Sequence, residues 1–135
     1  MLSQTVRYAL RTLGYLAGNR GARVRGETIA AATGIPANYL SKILNQLRKR
    51  GVVDSEKGWG GGFELREVSL DLRVRDIVTI FDGTDRIEEG GCVFGLPECD
   101  AARPCPLHAY WERIGATWTA MLEETKVRDL GLVKR

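Results

Sequence analysis

Between Leu2 and Ala17 the apolar residues Val6, Leu10, Leu13 and Ala17 recur every three or four positions, the period of a helix with one buried stripe. Gly18-Asn19-Arg20-Gly21 breaks that pattern. Glu27 to Thr33 predicts a short helix packing through Ile29, Ala30 and Ala31, with Gly34 directly after it. Pro36 stands where a first helical turn tolerates proline. The helix it opens runs to about Arg50, and Gly51 ends it. Leu40, Ile43, Leu44 and Leu47 share one of its faces; Asn38, Tyr39, Ser41, Lys42, Asn45, Gln46 and Lys49 share the other. Two helices across a tight glycine turn, the second half apolar and half hydrogen-bonding, have the layout of a helix-turn-helix. Periodicity alone also fits an ordinary helical hairpin.

Val52 to Ser55, a glycine-rich tip at Gly58-Trp59-Gly60-Gly61-Gly62 and a return run Phe63-Glu64-Leu65 predict a β-hairpin. Directly after a recognition helix, such a hairpin is a wing. The glycines are not followed by Gly-Lys-Ser/Thr, so a nucleotide-binding loop is a poor reading. They are expected instead to let the backbone approach DNA phosphates, with Lys57 and Arg66 flanking them. A further helix is predicted at Val74–Phe81, and a loop rich in Gly, Pro and acidic residues over 82–104. Pro106 opens a last helix running to about Lys126. On it Trp111, Ile114, Trp118, Met121 and Thr125 form a heptad-like seam. Tryptophans on such a stripe are costly to leave in water, so the seam is expected to bind a second copy, or else its own domain. The expected organisation is a DNA-binding domain at 1–81, a ligand-bearing loop at 82–105, and a dimerisation helix with its tail at 106–135.

Composition adds location and partner. No apolar run approaches the about 18 residues a membrane span needs, and the N-terminus lacks a signal-peptide layout; a cytoplasmic protein is expected, without a membrane or small-molecule substrate partner. Of the 135 residues, 1–67 carry 11 Lys/Arg against 5 Asp/Glu, and 68–135 carry 9 against 12. The basic half is the one that suits a polyanion.

Cys92, Cys99 and Cys105 are all the cysteines, and His108 is the sole histidine. Their gathering within one short stretch suits a metal site, and three thiols cannot close a disulfide set. The wide Cys-x6-Cys-x5-Cys-x2-His spacing lacks the tight knuckle of structural zinc and suits a larger inorganic core, in which histidine can replace cysteine. Zinc and a metal-free thiol switch stay open. With the histidine committed as a ligand, no acid–base constellation is left for catalysis, so an enzyme is not expected.

These residues resemble the IscR/NsrR/RirA family of winged-helix iron–sulfur regulators (the Rrf-two superfamily). The resemblance rests on Arg7-Tyr8-Ala9-Leu10, on Ile35 to Leu40, on Leu47 to Val53, and on the wing stretch Ser55–Gly58 with Gly61 to Leu65. It implies a mostly α fold with a small β-hairpin wing: a winged helix-turn-helix domain plus a long C-terminal dimerisation helix. It implies a homodimer on a palindromic site in double-stranded DNA, governed by a cluster that senses iron, redox state or nitric oxide. Cys92, Cys99, Cys105 and His108 match the ligands of the IscR branch, which holds a 2Fe–2S cluster; 4Fe–4S is the alternative, since the first interval is x6 where that branch has x5. The nitric-oxide branch can take an aspartate in its first helix, where this chain has Arg7 or Tyr8. Asn38, Tyr39, Ser41, Lys42 and Gln46 are expected to read bases or fix register, and Arg48, Lys49 and Arg50 to meet phosphates. Lys57, Trp59, Gly60 and Arg66 are expected to serve the wing.

Overall fold

The computed structural model describes residues 2–83 and 92–131. Part of the expected 82–104 loop and the end of the tail, 132–135, thus lie outside the described residues.

Helix α1 spans Gln4–Gly18. Ser3 caps it: its hydroxyl oxygen accepts the Val6 N–H at 3.1 Å and donates to Asp82 Oδ1 at 2.8 Å, satisfying one of the helix's orphan donors. The buried face is Val6, Ala9, Thr12, Leu13 and Leu16, wider than the expected stripe. Leu10 and Ala17 flank it half-buried because α1 is covered from two sides. Thr12 enters the core with its hydroxyl donating to the Tyr8 carbonyl at 2.8 Å, which removes the cost of an unpaired polar group.

Helices α2 (Gly26–Thr33) and α3 (Ala37–Lys49) follow. They meet at Gly34, whose φ of +72° favours glycine, and at buried Ile35. Ala31 is exposed, contrary to expectation, and only Ile29 of α2 is fully buried. Pro36 caps α3 rather than opening it. The core face of α3 is Leu40, Ile43, Leu44 and Leu47, as the periodicity predicts.

Strands β1 (Val53–Glu56) and β2 (Gly62–Leu65) pair antiparallel, Val53 opposite Leu65 and Glu56 opposite Gly62. A third edge was not legible in the pattern: Val24 exchanges both backbone hydrogen bonds with Phe63 at 2.8 Å. A 3-10 helix at Glu67–Asp71 seats Ser69, whose buried hydroxyl donates to the Val52 carbonyl at 2.7 Å. Helix α4 spans Val74–Asp82.

Helix α5 spans His108–Glu124, so two expectations are corrected. Pro106 lies in a turn before the helix, and the helix stops short of Lys126. Thr125 turns extended, its carbonyl accepts the Val74 N–H at 2.9 Å, and the Val127 N–H donates to the Leu72 carbonyl at 2.8 Å. A last short helix, α6 (Val127–Leu130), then lies on α1. Their approach is close: a Cβ on Gly14 would come within 2.9 Å of the Leu130 carbonyl oxygen. Val127 enters the main core with Leu13, Leu47 and Ile77, while Leu122 joins Val6, Val74 and Val78 in a second cluster. Burying each such side chain stabilises by about 1.5–3 kcal/mol. The segment after residue 106 therefore helps complete the winged-helix unit. Arg73 and Arg75 of α4 both pair with Glu123 of α5, tying the same junction on the solvent side.

Candidate functional site

Asn38, Tyr39, Ser41, Lys42, Gln46, Arg48 and Lys49 all lie exposed along α3, with Arg50 just past its end. The face opposite the leucines is thus free. Tyr39 is partly committed, its ring edge-on to that of Tyr8 at 6.2 Å. Arg48 donates to Asn45 Oδ1 at 2.8 Å.

Lys57, Trp59 and Gly60 form the exposed wing tip. Arg66 does not: it lies at the hairpin base, donating to the Gly51 carbonyl at 3.1 Å and facing Asp54. Its structural task is to brace the turn after α3. The wing glycines also answer to internal geometry more than to phosphates. A Cβ on Gly61 would sit 2.3 Å from the Glu56 carbonyl oxygen, and one on Gly62, at φ +131°, 2.7 Å from Val24 backbone. Gly58 and Gly60 have positive φ and open space around them.

Between α3 and the wing runs a cleft of about 840 Å³ lined in part by Arg25, Ser41, Asn45, Arg48, Lys57 and Phe63. Arg25 and Asn45 are absent from the expected set. Arg25 donates to the Gly58 carbonyl at 2.8 Å, so it positions the wing tip. Nothing in helical periodicity marks it; only a basic residue just before the second helix hints at it.

At the other end of the molecule, two of the four candidate ligands touch directly. Cys99 Sγ lies 3.1 Å from His108 Nδ1. The Cys92 sulfur is hydrogen-bonded by the Leu96 N–H first, and also by Phe94, Gly95 and the Cys105 side chain; these contacts draw its thiol below the ordinary value against some desolvation. Cys99 is pushed up, by desolvation first and then by Cys92, Cys105, Glu112 and Asp100. Cys105 does not stand on α5. It lies in the preceding turn, its carbonyl accepting the His108 N–H at 3.0 Å, and only His108 opens the helix. Asp100 holds the loop through the Ala102 N–H at 2.9 Å and the Arg103 guanidinium, which keep its carboxyl below the usual range. Among the described residues, no three donors converge on a single-ion site.

On α5, Ile114 and Met121 are exposed and Trp111 and Trp118 half-buried. Trp118 also packs against the second core cluster. Ile114, Thr117, Trp118 and Met121 line a shallow, largely apolar groove. Thr125 is beyond the helix, at its cap.

An exposed polar helix face beside a braced hairpin wing is the layout of a winged helix-turn-helix, DNA-binding transcription regulator. Comparison with known proteins agrees. Residues 2–131 match the family described as "Rrf2: Iron-dependent Transcriptional regulator", and the chain belongs to that family. It is 37% identical over 132 residues to a candidate HTH-type transcriptional regulator of Aquifex aeolicus, covering 96% of this chain and 90% of that one. It is 26% identical over 102 residues to the HTH-type transcriptional regulator IscR of Vibrio atlanticus, covering 76% of this chain and 57% of that one. In fold it is similar to CymR, the global cysteine regulator of B. subtilis, with a TM-score of 0.78, 25% identity and coverage of 100% and 98%. No helix of the described residues is long and apolar enough to cross a membrane.

Proposed function

We propose that this regulator binds a palindromic promoter site as a cytoplasmic homodimer, and that an iron–sulfur cluster at Cys92, Cys99, Cys105 and His108 controls that binding. The observation that carries this reading is the direct contact of two donors, Cys99 Sγ at 3.1 Å from His108 Nδ1; among the described residues no three donors gather as a single tetrahedral ion would need, and the spacing suits a larger core. Soft thiolates with one imidazole are also the right donor chemistry. A 2Fe–2S cluster, once bound, supplies a redox-active centre; a 4Fe–4S core is the alternative.

The protein's own part is mechanical. His108 is the first residue of α5, and the far end of α5 is fastened to α4 through Glu123 and Leu122. A change in where residues 92–107 hold His108 therefore reaches the dimer seam of Trp111, Ile114, Trp118 and Met121 by the shortest route. Two recognition helices must address half-sites about one helical turn apart, so a small reorientation at that seam changes DNA affinity. Within each protomer Asn38, Tyr39, Ser41, Lys42 and Gln46 read the major groove, while Arg48, Lys49, Arg50 and Lys57 meet phosphates.

A second reading is favoured by the Cys92 thiol, which the Leu96 N–H first of all draws below its ordinary value, as suits a reactive thiol; the fold neighbour CymR is the global cysteine regulator of B. subtilis. Absorption spectra with iron and zinc analysis on protein purified without oxygen separate these. Coloured protein with iron, whose promoter affinity changes when the cluster is removed, supports the cluster reading. Colourless protein with zinc makes the loop a structural staple. Metal-free protein that resists reconstitution, and whose DNA binding follows oxidant alone, overturns the cluster in favour of the thiols.

A further inference from the structure

Trp59 is the most solvent-exposed large apolar residue described in this protein, at 102% relative exposure, ahead of Val68 at 68%. An isolated, fully wetted indole is a poor use of a residue that buries a large area when covered. Its mounting is stiff. Gly58 and Gly60 on either side hold φ of +83° and +73°. Gly61 is pressed against the Glu56 and Gly58 carbonyls, and the Arg25 guanidinium clamps the Gly58 carbonyl at 2.8 Å. The Val24–Phe63 bridge ties the hairpin to the body just below. The indole thus stands on a short stalk tied to the body by the Arg25 hydrogen bond and the Val24–Phe63 bridge. Its neighbour Lys57 and the clamping Arg25 line the same cleft as Ser41, Asn45 and Arg48 of α3, with Glu27 and Glu56 also in its wall, so the stalk stands beside the exposed face of α3.

We infer that Trp59 is a wedge for the minor groove of duplex DNA. The inference rests on the reading of α3 as the major-groove helix. With α3 in one major groove, the wing tip reaches the adjacent minor groove. There an apolar side chain can enter between base steps, partly unstack them and bend the duplex, while flanking cations hold the phosphates. Aromatic contact with bases is worth enough for its loss to weaken binding about tenfold to a hundredfold. It carries little base identity, so Trp59 selects deformable steps rather than letters.

The test uses the full-length protein and a duplex that wild type selects from a random pool, labelled at both ends for energy transfer. Trp59→Ala leaves the melting curve unchanged, because the side chain packs on nothing. It is expected to weaken binding about tenfold or more, reduce the bend, and leave the salt slope unaltered, since no phosphate contact is lost. Trp59→Phe is expected to restore part of both affinity and bend. A Trp59→Ala protein that binds and bends like wild type, on a duplex that Lys42→Ala no longer holds, overturns the wedge and leaves the α3 reading standing. Weaker binding with an unchanged bend overturns it too, because the indole then only brushes the sugar edges. Failure of wild type to select any duplex overturns the α3 reading and the wedge together.

Discussion

From α1 to α4 most large apolar side chains close on one another, Trp59 and Val68 apart: Leu13, Ile29, Leu47 and Ile77 are fully buried, and even Thr12 and Ser69 enter the interior with their hydroxyls paired. Between Cys92 and Leu107 the arrangement is reversed. Val93, Phe94, Leu96 and Leu107 face solvent, no regular secondary structure forms, and the order comes from local hydrogen bonds around Cys92 and Asp100. One region holds its shape through many mutually supporting contacts; the other through a few polar ones. A sensing element must respond to a small free energy, so it is drawn from the weakly held end of a structure, and a DNA-reading surface from the rigid end.

The sharpest way to break this contrast is a pair of truncations. Leu47→Ala is expected to cost about 2–5 kcal/mol in urea unfolding, whereas Phe94→Ala should stay within about 0.5 kcal/mol; comparable losses would mean that the cysteine loop is a true part of the core. Next comes the seat of α6. Gly14→Ala places a methyl against the Leu130 carbonyl and is expected to cost about 1–3 kcal/mol, with faster proteolysis after Thr125; an unaltered melting temperature would show that α6 is not fastened there. Smaller again is the seam on α5. Ile114→Glu should leave the melting curve of the dilute protein nearly unchanged. It should weaken self-association about tenfold in sedimentation, the effect of losing one good apolar contact of about 1.4 kcal/mol. The weakest effect is pH-dependent. Asp71 is held below its ordinary value chiefly by the Arg128 hydrogen bond, then by the charges of Arg128 and Lys126. A carboxyl lowered on folding contributes stability above its unfolded value, and this is lost as pH falls from about 4 downward. Asp71→Asn should flatten only that acid limb of a melting-temperature profile, by a small amount because the pair is solvent-exposed.

The helices of the winged unit were legible because burial there follows the 3.6-residue period: Leu40, Ile43, Leu44 and Leu47 are visible as a stripe and are the core face of α3. The metal-binding candidates were picked out by residue type alone, and the structure adds the contact between Cys99 and His108. What escaped the sequence is non-local. Val24 becomes a strand only because Phe63 lies beside it, and Arg25 becomes a wing clamp only once Gly58 turns its carbonyl inward. The break at Thr125 is dictated by the Val74 and Leu72 backbone groups that capture it, not by any helix-stopping residue. Arg66 was expected to serve the wing because it is a cation flanking the tip. Its actual partner, the Gly51 carbonyl, is fifteen residues upstream.

The lodging of Val127 and α6 against α1 has a consequence for biosynthesis. Helix α1 is covered by a segment made much later than itself, and contacts between such distant parts of a chain form slowly. Until that segment emerges, the apolar underside of α1 has no lid, and chaperones have their longest access to the nascent chain. A chain cut short before Val127 is therefore expected to leave that underside open and to be cleared faster than one that carries α6.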